Sequence, residues 1–261
     1  MTDSAAPVLL SRQGPVAVVT LNRPERMNAL GRELVAALRA AFHELANDSA
    51  VSVIVLTGTG KAFCAGADLR EREGMTTDEA RAFIRSLNDT FNAVEDTPQP
   101  VIAAINGFAL GGGLELALAC DIRLAAHSAQ VGLTETRLGI IPGAGGTQRL
   151  SRAIGTARAR ELIFAGRRLV ASEAVTWGIA SRAVADDELQ TVAFALAHEV
   201  ALGAPLALRA AKLAMNAAWR RERDAALADE QTAYAPLLQT QDRLEALAAF
   251  REKRAPKFEG R

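Results

Sequence analysis

The sequence predicts an α/β layer protein whose C-terminal part turns helical. Short β-branched runs alternate with segments of helical apolar spacing, which is the signature of stacked strand and helix layers. Gly and Pro stand at the junctions between them. After about residue 186 the strand signals stop, and the chain becomes rich in Ala, Leu, Glu and Arg.

Val16–Leu21 and Val51–Leu56 read as strands. Between them Leu34, Leu38, Ala41, Phe42 and Leu45 recur at helical spacing within a helix expected over 32–48. Asp78–Glu95 reads as a second amphipathic helix, which Pro98 and Pro100 end. Val101–Ile105 is the next strand, followed by a glycine turn and a helix from Leu114 to Cys120. Asp121–Ala125 reads as a further strand. Residues 1–186 are therefore expected to form the core and 187–261 a helical region. Gly203 and Pro205 break one C-terminal helix and start another. Such a region buries little apolar surface alone, so it should pack on the core or on other subunits. The last residues, Pro256–Arg261, are expected to be loosely held.

Composition narrows the function classes. The chain has 261 residues, long enough for one large core. Lys+Arg and Asp+Glu are both 30, so the formal net charge is zero. That balance argues against a nucleic-acid partner or an anionic membrane surface. The apolar region Val101–Ala126 is interrupted by Asn106, Glu115, Asp121 and Arg123, which argues against a membrane span. Two cysteines, Cys64 and Cys120, fit free thiols in a reducing compartment. Met1-Thr2-Asp3-Ser4 begins no signal-peptide pattern, so a cytoplasmic location is expected.

Several motifs fail on inspection. Gly58-Thr59-Gly60-Lys61 lacks both the leading glycine and the Ser/Thr of a phosphate loop. Gly143-Ala144-Gly145 has Gln148 where a dinucleotide fingerprint needs its third glycine. His43, His127 and His198 lie apart, with no nucleophile elbow and no metal-ligand spacing, so no metal and no separate cofactor are expected.

The run Gly111-Gly112-Gly113-Leu114-Glu115 carries more. A helix that starts on bare amides directs partial positive charge at whatever sits above it. A carboxylate one turn later lies on nearly the same face. Glu135 comes twenty positions on, ahead of Gly143-Ala144-Gly145-Gly146. An oxyanion donor beside two acids points to chemistry on a carbonyl compound. The plain alternatives are a tight strand-to-helix turn for the glycines, a dipole-complementing Glu115 and a solvated Glu135.

Four segments stand in order: Leu21-Asn22-Arg23-Pro24-Glu25-Arg26-Met27-Asn28-Ala29-Leu30, then Lys61-Ala62-Phe63-Cys64-Ala65-Gly66-Ala67-Asp68-Leu69. They continue with Ala104-Ile105-Asn106-Gly107 through Ala117, and with Glu135 through Arg149. On these segments, from about residue 8 to the C-terminus, the sequence resembles the crotonase (enoyl-CoA hydratase/isomerase) family. The resemblance implies a spiral of β-β-α turns followed by a helical trimerisation region. It also implies hydration of a 2-enoyl-CoA thioester by syn addition of water, in a homotrimer or a hexamer built as a dimer of trimers.

The family's site residues carry over by position. The resemblance implies an oxyanion hole from the backbone N–H groups of Ala67 and Gly112, and an acid/base pair Glu115 and Glu135. Glu115 would activate water and Glu135 would exchange the C2 proton, although the sequence does not order those roles. Coenzyme A, as part of the substrate, would lie near Arg26, Ala65, Ala67, Asp68, Leu69 and Arg70. Lys253 matches a basic tail residue that meets the nucleotide phosphates, with a solvated tail as the plain alternative.

The central block, Phe63 to Arg72 and Gly111 to Asp121, is most similar to the methylglutaconyl-CoA hydratase branch of leucine breakdown. A carboxylated acyl group would need a cation, for which Arg70 or Arg72 is the candidate. Two exposed arginines on a helical turn are the alternative. An enoyl-CoA isomerase of the same family is the second enzymatic reading, against which the presence of both glutamates weighs. RNA binding through the first helix is a reading of another class. Arg32 and Arg39 stand there against Glu33, Glu44 and Asp48, which is no basic stripe.

Overall fold

The computed structural model describes residues 6–217, 232, 236 and 239–261. The helical character expected over 218–238 falls, single positions apart, outside the described residues, as do Met1–Ser4. In chain order the first elements are β1 (Val8–Gln13), β2 (Val16–Leu21), α1 (Arg32–Ala46), β3 (Val53–Gly58) and β4 (Ala62–Cys64). Next come α2 (Leu69–Glu73), α3 (Thr77–Asp96), β5 (Val101–Ile105), β6 (Phe108–Leu110) and α4 (Gly112–Ala119). Then follow β7 (Ile122–Ala126), β8 (Gln130–Gly132), α5 (Gly146–Ile154), α6 (Thr156–Ala165), β9 (Leu169–Val170) and α7 (Ala171–Trp177). The chain closes with β10 (Arg182–Val184), α8 (Leu189–Val200), α9 (Pro205–Ala217) and α10 (Gln241–Glu252).

The strands form two sheets. One is six-stranded in the order β1-β2-β3-β5-β7-β10, and the other is four-stranded in the order β4-β6-β8-β9. The chain alternates between them: β3 then β4, β5 then β6, β7 then β8. Each such pair advances one position in both sheets before a helical segment returns the chain, which is a β-β-α spiral. Apart from the β1–β2 hairpin and the β8–β9 pair, all pairings are parallel. The parallel strands β3 and β5 are buried on both faces, so they read as continuous apolar runs.

The helices follow their sequence signals. α1 buries Leu34, Val35, Leu38, Ala41, Phe42 and Leu45 on one face. α3 starts one residue before the expected Asp78, because Thr76 and Glu79 form a reciprocal capping box there. α4 begins at Gly112, two residues before the expected Leu114, and every one of its residues is buried. The core between the layers includes Phe42, Phe63, Phe91, Leu56, Ile102 and Ile105, all fully buried.

One expectation changes, and six strands lie beyond it. The strands β1, β4, β6, β8, β9 and β10 were not read individually from the sequence. Four of them have three residues and one has two, too short for alternation to register. The tail is not loosely held: the Asp242 carboxylate accepts from the Glu259 and Gly260 N–H groups at 2.7 and 2.9 Å. The Asp242 N–H in turn donates to the Arg261 carbonyl at 3.0 Å.

Asn28 determines how the segment after β2 meets the turn after β3. It is fully buried in the left-handed region, with φ 55°. Its Oδ1 accepts from the Arg23 N–H at 2.8 Å, and its Nδ2 donates to the Thr59 and Ala62 carbonyls at 2.9 and 2.8 Å. The segment then lies beside residues 66–68, where the Leu30 N–H donates to the Gly66 carbonyl and the Asp68 N–H to the Leu30 carbonyl. Asn28→Ala removes the side-chain partner of the Arg23 N–H and the Thr59 carbonyl, and one of the two side-chain donors to the Ala62 carbonyl. It should destabilise the protein by about 3 kcal/mol in a urea titration, against a negligible change for the exposed Asp89.

Candidate active site

α4 places a carboxylate where burial would otherwise forbid one. The helix is apolar on all sides, so Glu115 is carried into the interior and is 3% exposed. Its N-terminus is pressed against β4: a Cβ on Gly113 would collide with the Cys64 carbonyl oxygen. The Glu115 Oε1 accepts from the Ala144 N–H at 2.9 Å and the Gly146 N–H at 2.8 Å. Burial raises its pKa above the ordinary carboxylate value, while those two donors and the Arg149 charge pull it back.

Glu135 opens a short 3-10 turn, Glu135–Leu138, and is 9% exposed. The turn is tied to α6: Thr136 Oγ1 donates to the Ile163 carbonyl at 2.8 Å and Arg137 Nη2 to the Ala165 carbonyl at 2.7 Å. The carboxylate packs over Gly111, where a Cβ would stand 3.1 Å from Glu135 Oε1. Its Oε2 is buried with no hydrogen-bond partner among the described residues. Burial first, and then the Glu115 charge, push its pKa from an ordinary 4.5 to about 7, against the pull of backbone N–H groups.

Both acids line one cavity of about 470 Å³. Ala65, Ala67, Gly112 and Leu69 line it too, together with Arg72 and the apolar Ile84, Leu87, Leu138, Ile140 and Ile141. A Cβ on Gly112 would lie 3.9 Å from both the Ala67 nitrogen and Glu115 Oε2. Neither the Ala67 nor the Gly112 N–H has an acceptor among the described residues. Two free amides and two carboxyls therefore converge on the same space.

The remaining predicted residues stand elsewhere. Asp68 is buried and caps α2, accepting from the Arg70 N–H at 3.1 Å, with Arg23 Nη2 3.8 Å from its other oxygen. Arg26 is half-buried in the turn after β2, Arg70 is exposed on α2, and none of these three lines the cavity. Lys253 is exposed just past α10 and is likewise absent from the cavity wall. Sequence reasoning assigned no role to Ala144 and Gly146, whose amides hold Glu115. The glycine run after Pro142 was their signal.

The rejected motifs have structural roles. Residues 58–61 form the β3–β4 turn, bonded through the Gly58 N–H and the Gly60 carbonyl to Asn106. His43, His127 and His198 are exposed. Both cysteines are buried and free. Among the described residues no group of three or more His, Cys, Asp or Glu could hold a metal ion, and no single helix is long and apolar enough to cross a membrane.

The family model described as Enoyl-CoA hydratase/isomerase matches residues 11–261. The chain is 48% identical over 251 residues to the mitochondrial enoyl-CoA hydratase domain-containing protein 2 of Mus musculus, spanning 94% of this chain and 85% of that relative. It is 45% identical over 250 residues to the mitochondrial methylglutaconyl-CoA hydratase of the same species, spanning 94% and 80%. The crystal structure of an enoyl-CoA hydratase from Bacillus anthracis superposes with a TM-score of 0.96 at 45% identity, covering 98% of this chain and all of that one. A β-β-α spiral, two converging carboxyls and this similarity agree: the chain belongs to the enoyl-CoA hydratase/isomerase, or crotonase, family of enzymes that act on acyl-CoA thioesters.

Proposed function

We propose that this protein is an enoyl-CoA hydratase that adds water reversibly across the C2=C3 bond of a 2-enoyl-CoA thioester. The observation that carries the reading is the unequal pair of acids on one cavity. Glu115 has two N–H donors that favour its ionised form. Glu135 has an oxygen without a partner among the described residues and a pKa raised to about 7. Two carboxyls whose surroundings differ in this way suit one base and one acid.

In this reading Glu115 takes a proton from water as the water oxygen bonds to C3. The C2=C3 electron pair moves toward the thioester, and charge collects on its oxygen. The Ala67 and Gly112 N–H groups receive that oxygen, each worth about 3–4 kcal/mol of barrier. Glu135 then gives its proton to C2. Solvent restores the two protonation states once product leaves, so the protein ends unchanged.

The same reading assigns the acyl group. Among the described residues Arg72 is the one cationic side chain on a cavity wall that is otherwise mainly apolar, whereas Arg70 lies outside it. This supports a short branched acyl chain ending in a carboxylate, as in 3-methylglutaconyl-CoA. The reading also includes assembly into homotrimers or dimers of trimers. The exposed Leu202, Leu213, Met215 and Leu244 of the C-terminal region supply apolar surface for it.

Three measurements test this. Glu115→Gln and Glu135→Gln should each lower kcat for hydration by about 10²–10⁴-fold, followed as loss of the enoyl-thioester absorbance. Wild-type turnover in either variant would sink the assignment of roles. Arg72→Met should lower kcat/KM for 3-methylglutaconyl-CoA by about 10–100-fold while leaving crotonyl-CoA nearly unchanged, because a charge-assisted contact is worth about 1.5–3 kcal/mol. A clear wild-type preference for crotonyl-CoA would overturn the choice of acyl group.

The third concerns pH. Glu135 binds its proton more tightly folded than unfolded, so folding stability falls as pH rises from 4.5 to about 7 and levels off above. Glu135→Gln should remove that slope from a plot of Tm against pH. Hydration should also decline above about pH 7 as Glu135 loses its proton.

A further inference from the structure

The loop that holds Glu115 is itself held, and by one face of α3. Ile84, Asn88, Asn92 and Glu95 follow one another at helical spacing along that face. Asn88 Nδ2 donates to the Gly143 carbonyl at 2.6 Å, and Ile84 packs on Gly143. Arg149, on α5, bridges the next residues. Its Nη1 donates to the Ala144 carbonyl at 2.9 Å, and its Nη2 to Asn92 Oδ1 at 2.8 Å. Its Nε and Nη2 both reach Glu95 Oε2, at 3.1 and 2.6 Å. The guanidinium is nearly buried, with a side chain 9% exposed. A side chain at Gly145 (φ +95°) would collide with Arg149 Nη1, so glycine there leaves room for the guanidinium.

We propose that Arg149 is a positioning residue for hydration: clamped to Glu95 and Asn92, it fixes the Gly143–Gly146 loop whose amides orient Glu115, and it lends Glu115 a nearby positive charge. The proposal rests on the reading of Glu115 as the base. Ala144 is the mechanical link: its carbonyl, in the peptide to Gly145, is held by Arg149, while its N–H, in the peptide from Gly143, holds the Glu115 carboxylate. Releasing the carbonyl frees residue 144 to shift, and its N–H shifts with it relative to the acid. Arg149 touches no substrate atom in this account.

The charge acts on a short roster of groups. Glu135 and Arg72 share the cavity wall with Glu115, and Arg149 approaches from α5 with its partner Glu95 on α3. The Cys64 thiol on β4 is pushed up to about 12 by burial and is neutral. Losing the Arg149 charge therefore removes one of the groups that, beside the two N–H donors, hold Glu115 ionised against burial. Its ionised form becomes harder to reach. Losing the Glu95 charge instead leaves the Arg149 field less opposed, which makes ionisation easier.

The two substitutions thus predict shifts of opposite sign. In Arg149→Gln the acidic limb of kcat/KM for crotonyl-CoA should move up by roughly half a pH unit or more, with kcat reduced and KM little changed. In Glu95→Gln the limb should move down. Carbon-13 NMR titration of the Glu115 carboxyl should show the same two directions in the absence of turnover. This separates the proposal from the hydratase reading, because the titration shifts stand even if no enoyl-CoA is hydrated. A uniform loss of activity with an unmoved limb, or an unmoved Glu115 titration, overturns the proposal. Should Arg149→Gln fail to fold, Glu95→Gln carries the test alone, and a limb that rises or stays in place overturns it.

Discussion

A buried carboxylate needs hydrogen bonds to replace its lost water, and the site is organised around meeting that need for Glu115. The two amides that do so belong to residues 29 and 31 positions further along the chain. They can reach only if α4 starts where it does and the glycine loop crosses above it. The close approach of Gly113 to Cys64 sets the first condition. The Asn88 and Arg149 contacts between α3 and the loop set the second. Glu135 then has no such donors for its inner oxygen, and it shares a cavity with a second acid. The difference between the two acids is therefore a difference in their surroundings, in burial, backbone donors and nearby charge, since their side chains are chemically identical.

The two amides come from separate parts of the spiral. Ala67 lies in the loop after β4, and Gly112 begins the helix after β6. They meet because β4 and β6 are parallel neighbours in the smaller sheet, so that equivalent chain segments leave it side by side. The Asn28 side chain braces this arrangement from the other flank, tying the segment after β2 to the carbonyls of Thr59 and Ala62. Asp68 begins α2 as a cap and stands beside Arg23 in the same loop.

Long periodic elements were legible in the sequence, and short ones were not. α1 and α3 each repeat their apolar face over several turns, so spacing alone located them. β3, β5 and β7 appeared within two residues of their ends, because parallel buried strands read as apolar runs. The whole smaller sheet escaped element by element, since strands of two or three residues carry no period. Within the site, Glu115 was visible from its glycine run. Arg72 could not be told from Arg70, because a five-residue helix gives no preferred face to read. The tail looked free because the Asp242 contacts that hold it join residues 17 and 18 positions apart.

Sequence alone determined the kinds of groups available: bare amides at a helix start, two acids twenty positions apart, and small residues around them. It also determined the α/β class, through the alternation of apolar runs. Tertiary structure alone decided which amides face which acid, which arginine reaches the cavity, and how burial pushes the Glu135 carboxyl up to about 7. Residue type supplies a group's chemistry. Its proton affinity depends on the burial, donors and charges around it, and those are brought together only when distant segments fold against one another.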